Sequence, residues 1–287
     1  DPALALRYQH SDIFAGGVLA VANHIANFVE QVDVVTVLGE KESYEEFILS
    51  KLKSNISPYY VFKPNAPTLV KKRFVDGYSM NKLFEIYVMD DSLLDEKQDM
   101  ELIAMFSEKL PSYDLVVVSD FGHGAISRDM IDILARNAPF LAVNTQSNAG
   151  NRGFNTITKY PKADYVSLAE HEIRMETRDA AGRLFPMIRK LAQDMSCRHF
   201  VVTRGKKGCM LTDRQGSLFQ VPGFSQNVVD RVGAGDAFYA GLIAGVLEGL
   251  ELEELGLRAN AVAALTCRDV GPLRAQPGRE DVDEFLR

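Results

Sequence analysis

Cysteine is scarce in this chain: Cys197, Cys209 and Cys267 are the three among 287 residues, and their spacing is not that of a metal site. Any disulfide scheme leaves one of them unpaired. Reduced thiols are the economical account, and they place the chain in the cytoplasm. No apolar run approaches the ~20 residues that a membrane span requires, and nothing resembles a signal peptide. A membrane is therefore not expected as a partner. There is no basic cluster and the net charge is −7, which argues against nucleic acid as the main partner. The five histidines show no ligand spacing. Neither an internal repeat nor a low-complexity linker interrupts the chain.

What is present is apolar and evenly spread. With 46% hydrophobic residues the chain buries a large core, as one big domain or one domain with an appendage. Short β-branched runs occur at Val32–Leu38, Leu115–Val118, Phe140–Val143 and Phe200–Thr203. Their hydrophobicity is continuous rather than alternating, which suits strands buried on both faces of a largely parallel sheet. Helical patterns at Ser43–Leu52, Asp99–Leu110 and Ala180–Met195 lie between them. Strands alternating with helices predict an α/β sandwich with ligands at the carboxyl ends of the strands. A second texture interrupts this order. Thr68–Val75 and Leu83–Met89 read as strands joined by a turn at Asp76-Gly77, with no helix between. With an extended start at Leu4–Tyr8 they predict a small sheet off the main body, its strands within 1–14 and 67–90.

The most informative stretch is Asp230-Arg231-Val232-Gly233-Ala234-Gly235-Asp236-Ala237-Phe238, a glycine-bearing turn that runs straight into a helical apolar run, Ala237–Leu247. Small residues let the backbone approach a ligand, and the N–H groups of a helix N-terminus receive anions, phosphate above all. A carboxylate repels such a ligand unless it has chemical work. Asp236 is then a general base that takes a proton from a hydroxyl attacking a phosphoryl group. A helix cap is the other reading, and spacing alone does not separate the two.

These residues resemble the C-terminal hallmark of the ribokinase-like (PfkB) sugar kinases, Asp-x-x-Gly-Ala-Gly-Asp-x-Phe. The resemblance extends over most of the chain. Gly16-Gly17 before an apolar helix is similar to the family's di-glycine, Val201–Gly205 with Gly208 to its nucleotide-side turn, and Ala259-Asn260-Ala261 to its adenine-side helix. Pro67-Thr68-Leu69-Val70-Lys71-Lys72-Arg73 and Ser119-Asp120 resemble segments of the heptose phosphate kinases, which are often fused to a nucleotidyltransferase. The resemblance implies a single three-layer ribokinase-like domain over residues 1–287, with a β-sheet lid that often forms the dimer contact. It also implies ATP and Mg2+ as cofactors. Asp236 becomes the base and the amides of Gly233, Ala234 and Gly235 the anion hole. Relatives also carry an earlier strand, ending in a Gly-Asp that helps to hold the sugar. That strand is missing here, so the sequence looks like an excised or truncated domain, an excised part of a longer chain being the expectation. A central strand cannot be dropped without exposing edges, and either the fold lost it and adapted or upstream residues supply it.

Further candidates follow. Thr203, Arg204, Gly205 and Gly208 lie at a strand end where a nucleotide's phosphate tail can rest, or form an ordinary turn. Asn260 on an apolar helix needs a polar partner, which is either the nucleotide or a backbone carbonyl. Alternation puts Lys71 and Arg73 on one strand face, as a lid over a phosphorylated sugar or as a solvated face. Gly16, Gly17, Asn144 and Asp230 are assigned to the sugar side. Asn144-Thr145-Gln146, with Asn148, Asn151 and Arg152, gives polar density near the sheet edge, and His123 sits between glycines beside it.

The chain also departs from the family. The usual Asn-x-x-Glu of the phosphate and magnesium region is Ala169-Glu170-His171-Glu172 here, so Glu172 remains as the metal-side residue and the Asn is lost. Ala20 replaces another frequent Asn. Asn144-Thr145-Gln146 replaces the heptose kinases' Asp-Pro-Lys, and His123 stands where they have a lysine. Losing positive charge near phosphates weakens transition-state stabilisation. Two functions stay open: an ATP-dependent kinase acting on a sugar or sugar phosphate, and a degenerate kinase domain that binds nucleotide or sugar phosphate and regulates a fused nucleotidyltransferase. Retention of both Asp230 and Asp236 favours the kinase.

Overall fold

The computed structural model describes residues 5–78, 81–224, 228–271 and 275–287. Its centre is a six-stranded sheet in the order β10-β9-β8-β7-β6-β5. The strands are β5 (Val116–Asp120), β6 (Leu141–Thr145), β7 (Tyr165–Ala169), β8 (His199–Thr203), β9 (Cys209–Asp213) and β10 (Leu218–Val221). β5 to β8 run parallel, while β9 is antiparallel to both of its neighbours. The inner parallel strands are buried throughout, as continuous hydrophobicity predicts: Ala142, Val143, Tyr165, Val166, Phe200, Val201 and Val202 are closed to solvent.

Helices cover both faces. On one lie α1 (Val18–Ile25), α7 (Ala234–Leu247) and α8 (Leu252–Thr266), which pack Ile25, Phe238, Tyr239, Leu242 and Leu255 against the sheet. On the other lie α3 (Glu96–Lys109), α4 (Arg128–Asn137), α5 (Glu170–Thr177) and α6 (Leu184–Asp194), with Met130, Leu134, Ile173 and Ile188 in the core. The last helix, α9 (Arg279–Leu286), adds Val282 to a small cluster with α7 and α8. These are the three layers of the expected sandwich.

A second, two-stranded parallel sheet joins β1 (Val32–Lys41) to β2 (Ile56–Pro67), linked by α2 (Glu45–Lys51). Periodicity overlooked β2, because Pro58, Pro64 and Pro67 read as strand breakers. Prolines survive at a sheet edge, where an N–H facing solvent is dispensable. Val32 N–H donates to Asn55 C=O, so odd-numbered residues of β2 face β1, and Pro58 turns its missing donor outward.

The hairpin of β3 (Val70–Val75) and β4 (Lys82–Val88) is the small sheet off the main body. Lys71 faces Tyr87 and Arg73 faces Glu85 across it, while Phe74 stacks on Phe84 at 4.4 Å between centroids on the opposite face. The extended start does not join this sheet. Residues 5–14 form no strand, and Leu4 lies outside the described residues. The residues over 5–13 are exposed.

Candidate active site

The turn before α7 takes its shape from one backbone conformation. Gly233 caps α7 at φ 83°, a left-handed geometry that a side chain resists, and this folds Asp230–Val232 back over the helix start. Asp230 locks the fold-back, since its carboxylate accepts from Val232 N–H and Gly271 N–H, each at 3.0 Å. Asp230 thus shapes the turn. Gly235 borders open space, where a Cβ would meet no atom within 4 Å. The Ala234 N–H donates to Arg231 C=O at 3.2 Å, so that amide is engaged within the turn.

Asp236 lies in the first turn of α7 and caps nothing by its side chain. Its carboxylate accepts a hydrogen bond from Gln146 Nε2 at 3.1 Å, across the carboxyl edge of the sheet. The carboxyl is walled in even though the residue keeps some contact with solvent. Burial pushes its pKa up to about 6, against the Gln146 hydrogen bond and the positive fields of Arg73 and Lys71, which pull it down. An acid of this strength is ionised at neutral pH and still basic enough to accept a proton.

The β3–β4 hairpin leans over this edge. Lys71 Nζ sits 5.0 Å from the Tyr87 ring centre and 5.9 Å from that of Phe121, the residue after β5. Burial and Arg73 lower the Lys71 pKa, with Glu85 and Asp236 opposing them. Arg73 is paired, its Nε donating to Glu85 at 2.8 Å. Burial alone would raise the Glu85 pKa, but hydrogen bonds from Lys82, Tyr87 and Arg73 hold it at about 2. His123 stands 3.4 Å from Asn148 Nδ2, and burial followed by Lys71 lowers its pKa, so it is neutral at pH 7.

One cleft of about 2550 Å³ gathers Gly16, Gly17, Lys71, Arg73, Asp230, Gly233, Gly235 and Asp236, with Gln146 and His123. The other candidates lie elsewhere. Asn144 spends its amide on Ser167 C=O at 2.6 Å, bridging β6 to β7. Asn260 is satisfied inside the core, its Nδ2 donating to Gly256 C=O at 2.9 Å and meeting Cys209 Sγ at 3.2 Å. A backbone carbonyl therefore meets this amide within the helix. Thr203 ends β8, and Arg204, donating to Glu170 at 3.1 Å, opens the turn to Gly208. That glycine, at φ 79°, passes so close to Val221 that a Cβ would fall 1.9 Å from its carbonyl oxygen. Arg152 is exposed on its loop.

Glu172 accepts from Ser147 N–H at 2.7 Å and Ala169 N–H at 2.8 Å, one bond on each carboxylate oxygen. It therefore organises the two loops after β6 and β7. Among the described residues no group of three His, Cys, Asp or Glu side chains can hold a metal ion. The donor set does not fit a protein-built magnesium centre.

Two contributors had weaker sequence signals. Gln146 stood in the polar stretch after β6, yet its contact with Asp236 spans 90 positions. Asp120 is buried, and its carboxylate takes Tyr160 Oη at 2.7 Å, Lys159 Nζ at 2.6 Å and Gly122 N–H at 2.9 Å. It fixes the loop carrying Phe121 and His123.

Comparison with known proteins bears on this geometry. The model of the pfkB family of carbohydrate kinases matches residues 6–278. The "Bifunctional protein HldE" of a Nitratiruptor species is 22% identical over 288 residues, covering 100% of this chain and 60% of its own length. That of a Bradyrhizobium species is 27% identical over 281 residues, covering 94% of the chain and 55% of its own length. The chain therefore spans little more than half of these relatives. Phosphofructokinase-2 from Escherichia coli superposes with a TM-score of 0.79 at 15% identity, over 99% of this chain and 92% of that one. Ribokinase from Thermotoga maritima does so at 0.73 and 21%, over 93% and 85%. At these identities the structures speak for the fold.

Proposed function

The chain belongs to the pfkB family of carbohydrate kinases, and on that premise we propose that it transfers the γ-phosphoryl group of ATP to a hydroxyl of a sugar phosphate of the heptose phosphate type. The observation that carries this reading is the Asp236 carboxylate. It is walled in at a helix N-terminus, held by one neutral amide and within the fields of two lid cations, on the wall of the cleft that gathers these residues. Asp236 takes the proton from the acceptor hydroxyl as its oxygen attacks phosphorus. The N-terminal turn of α7 meets the charge of the transferring group with its amide dipoles. Lys71 and Arg73 hold the acceptor's own phosphate, a task suited to a fork of donors beside a point charge. Magnesium bound with a nucleotide would supply charge neutralisation at its phosphates. The described residues do not build a centre for it, so no step is assigned to it.

Two assembly proposals accompany this reading. The lid's outer face exposes Phe74, Phe84 and Ile86, an apolar patch that a second copy of the chain would cover. The share of the bifunctional relatives that the chain covers supports a further domain, a nucleotidyltransferase, in the same polypeptide. Among the described residues no helix is long and apolar enough to cross a membrane.

Asp236→Asn tests the reading. It should abolish turnover with heptose or hexose phosphates by a factor of roughly 10²–10⁴ while leaving ATP affinity unchanged or tighter. Turnover within about tenfold of the parent would end the assignment of the base. Turnover of free sugars equal to that of sugar phosphates would end the acceptor assignment.

A further inference from the structure

Gln146 follows β6 in a polar stretch whose neighbouring amides are spent on backbone. Asn144 donates to Ser167 C=O, Asn148 to Phe121 C=O at 2.9 Å and Asn151 to the same carbonyl at 2.8 Å. These bonds tie loops together. Gln146 alone of these four turns its amide to the carboxylate of Asp236, 90 positions further along, at 3.1 Å. Its main chain is pinned on both sides. The N–H donates to Asp120 C=O at 2.8 Å, and the C=O accepts from Asn155 Nδ2 at 3.2 Å. Asn155 Nδ2 also reaches Asp120 C=O at 2.8 Å, and its Oδ1 accepts from Lys159 Nζ at 2.6 Å. Lys159 closes the ring on the buried Asp120 carboxylate, at 2.6 Å. Gln146 therefore starts from a fixed backbone, which limits the entropy its side chain surrenders in reaching Asp236.

At the other end of this bond, Asp236 Oδ1 takes the one amide, and among the described residues no hydrogen bond or ion pair reaches Oδ2. The charges around the carboxyl stand off. Lys71 and Arg73 act on it from the hairpin as fields, without a bond to it. On the loop after β5, Asp120 is paired with Lys159 and His123 is neutral at pH 7. In the turn itself Asp230 is tied to Val232 and Gly271 N–H, and Arg231 is exposed. α1, packed on α7, carries His24 as its one titratable side chain, and the buried Arg258 of α8 pairs with Glu248 at the far end of α7. One neutral donor is thus the contact that orients the carboxyl. An ammonium at that distance would add a full opposite charge and suppress the basicity, whereas an amide holds the carboxylate without it.

We propose that Gln146 is the positioning residue of the base: its amide holds Asp236 Oδ1 and leaves Oδ2 to take the proton from the acceptor hydroxyl. The role rests on the phosphoryl-transfer reading. As the hydroxyl oxygen bonds to phosphorus, the bond from phosphorus to the oxygen of ADP breaks with its electron pair on ADP. The proton of the hydroxyl passes to Oδ2, and Gln146 itself exchanges none.

Gln146→Met and Gln146→Lys test it, each read against the parent by the pH profile of kcat and by carbon-13 titration of the Asp236 carboxyl without substrate. Methionine keeps the length and removes the donor, so both midpoints should rise by roughly one unit, about tenfold in proton affinity. Lysine adds a positive charge, so both should fall by about one unit or more. On its plateau the methionine variant should lose about tenfold in kcat, with acceptor KM within about threefold of the parent. Midpoints unmoved in both variants while kcat falls would assign Gln146 to loop structure alone and overturn the proposal. A rise of about tenfold in acceptor KM with unmoved midpoints would assign it to substrate binding and overturn it equally. If the methionine variant does not fold, the direction of the lysine variant's midpoints decides by the same criterion. A parent that turns over no sugar phosphate would end the phosphoryl-transfer reading and the proton step with it, whereas carboxyl midpoints that stay put beside an active parent would end the proposal alone.

Discussion

Asp236→Asn should stabilise the protein as well as silence it, and the gain should depend on pH in one direction. The folded pKa is pushed up to about 6 from an ordinary 3.8. Between those values the native carboxyl keeps its proton while the unfolded one has lost it. Stability therefore falls as pH rises through this window and stays reduced above about pH 6. A shift of about 2 units corresponds to at most ~3 kcal/mol at 1.36 kcal/mol per unit. Partial contact with solvent screens part of that, leaving about 1–2 kcal/mol. Asparagine keeps the shape and carries no proton to lose. The variant should melt about 2–5 °C above the parent at pH 8 and match it within about 1 °C near pH 4. Paired calorimetric scans at the two pH values measure this. A gain of equal size at both values, or none at pH 8, would refute the claim that a desolvated carboxylate strains the native state. The kinetic counterpart is loss of kcat in the parent below about pH 6, as the base becomes protonated.

Three further expectations follow from the same contacts. Arg73→Glu places a second carboxylate against Glu85 and removes a phosphate donor, so acceptor KM should rise tenfold or more with ATP KM within threefold; equal rises in both would refute the lid assignment. Asn260→Ala should cost about 1–3 kcal/mol in denaturant unfolding, because its amide is spent inside the core, with nucleotide affinity unchanged; a large loss of ATP affinity without loss of stability would reverse that reading. Phe84→Lys should convert a homodimer at micromolar concentration into a monomer by light scattering, without affecting the melting of the monomer. A parent that is already monomeric in its full-length form would remove the dimer.

Local chemistry was legible from the residues alone. The glycine turn of Gly233, the helix behind it, the apolar strands and the shared face of Lys71 and Arg73 all depend on neighbours within a turn or a pleat. Such neighbours are adjacent in the chain, so their pattern survives in one dimension. β2 escaped because its prolines carry the same local signal in a loop as on a sheet edge, and only the neighbour decides which it is. The remaining facts concern partners far apart in the chain. Whether Asp236 caps a helix or faces a cleft rests on Gln146, 90 positions away. Whether Asn260 meets a ligand or the core rests on Cys209, 51 positions away. Glu172, read as a metal-side residue, ties two loops together through Ser147 and Ala169. Sequence alone determined the glycine turn and most of the elements, β2 excepted. Tertiary structure decided which polar groups were already satisfied, and therefore which remained for a ligand.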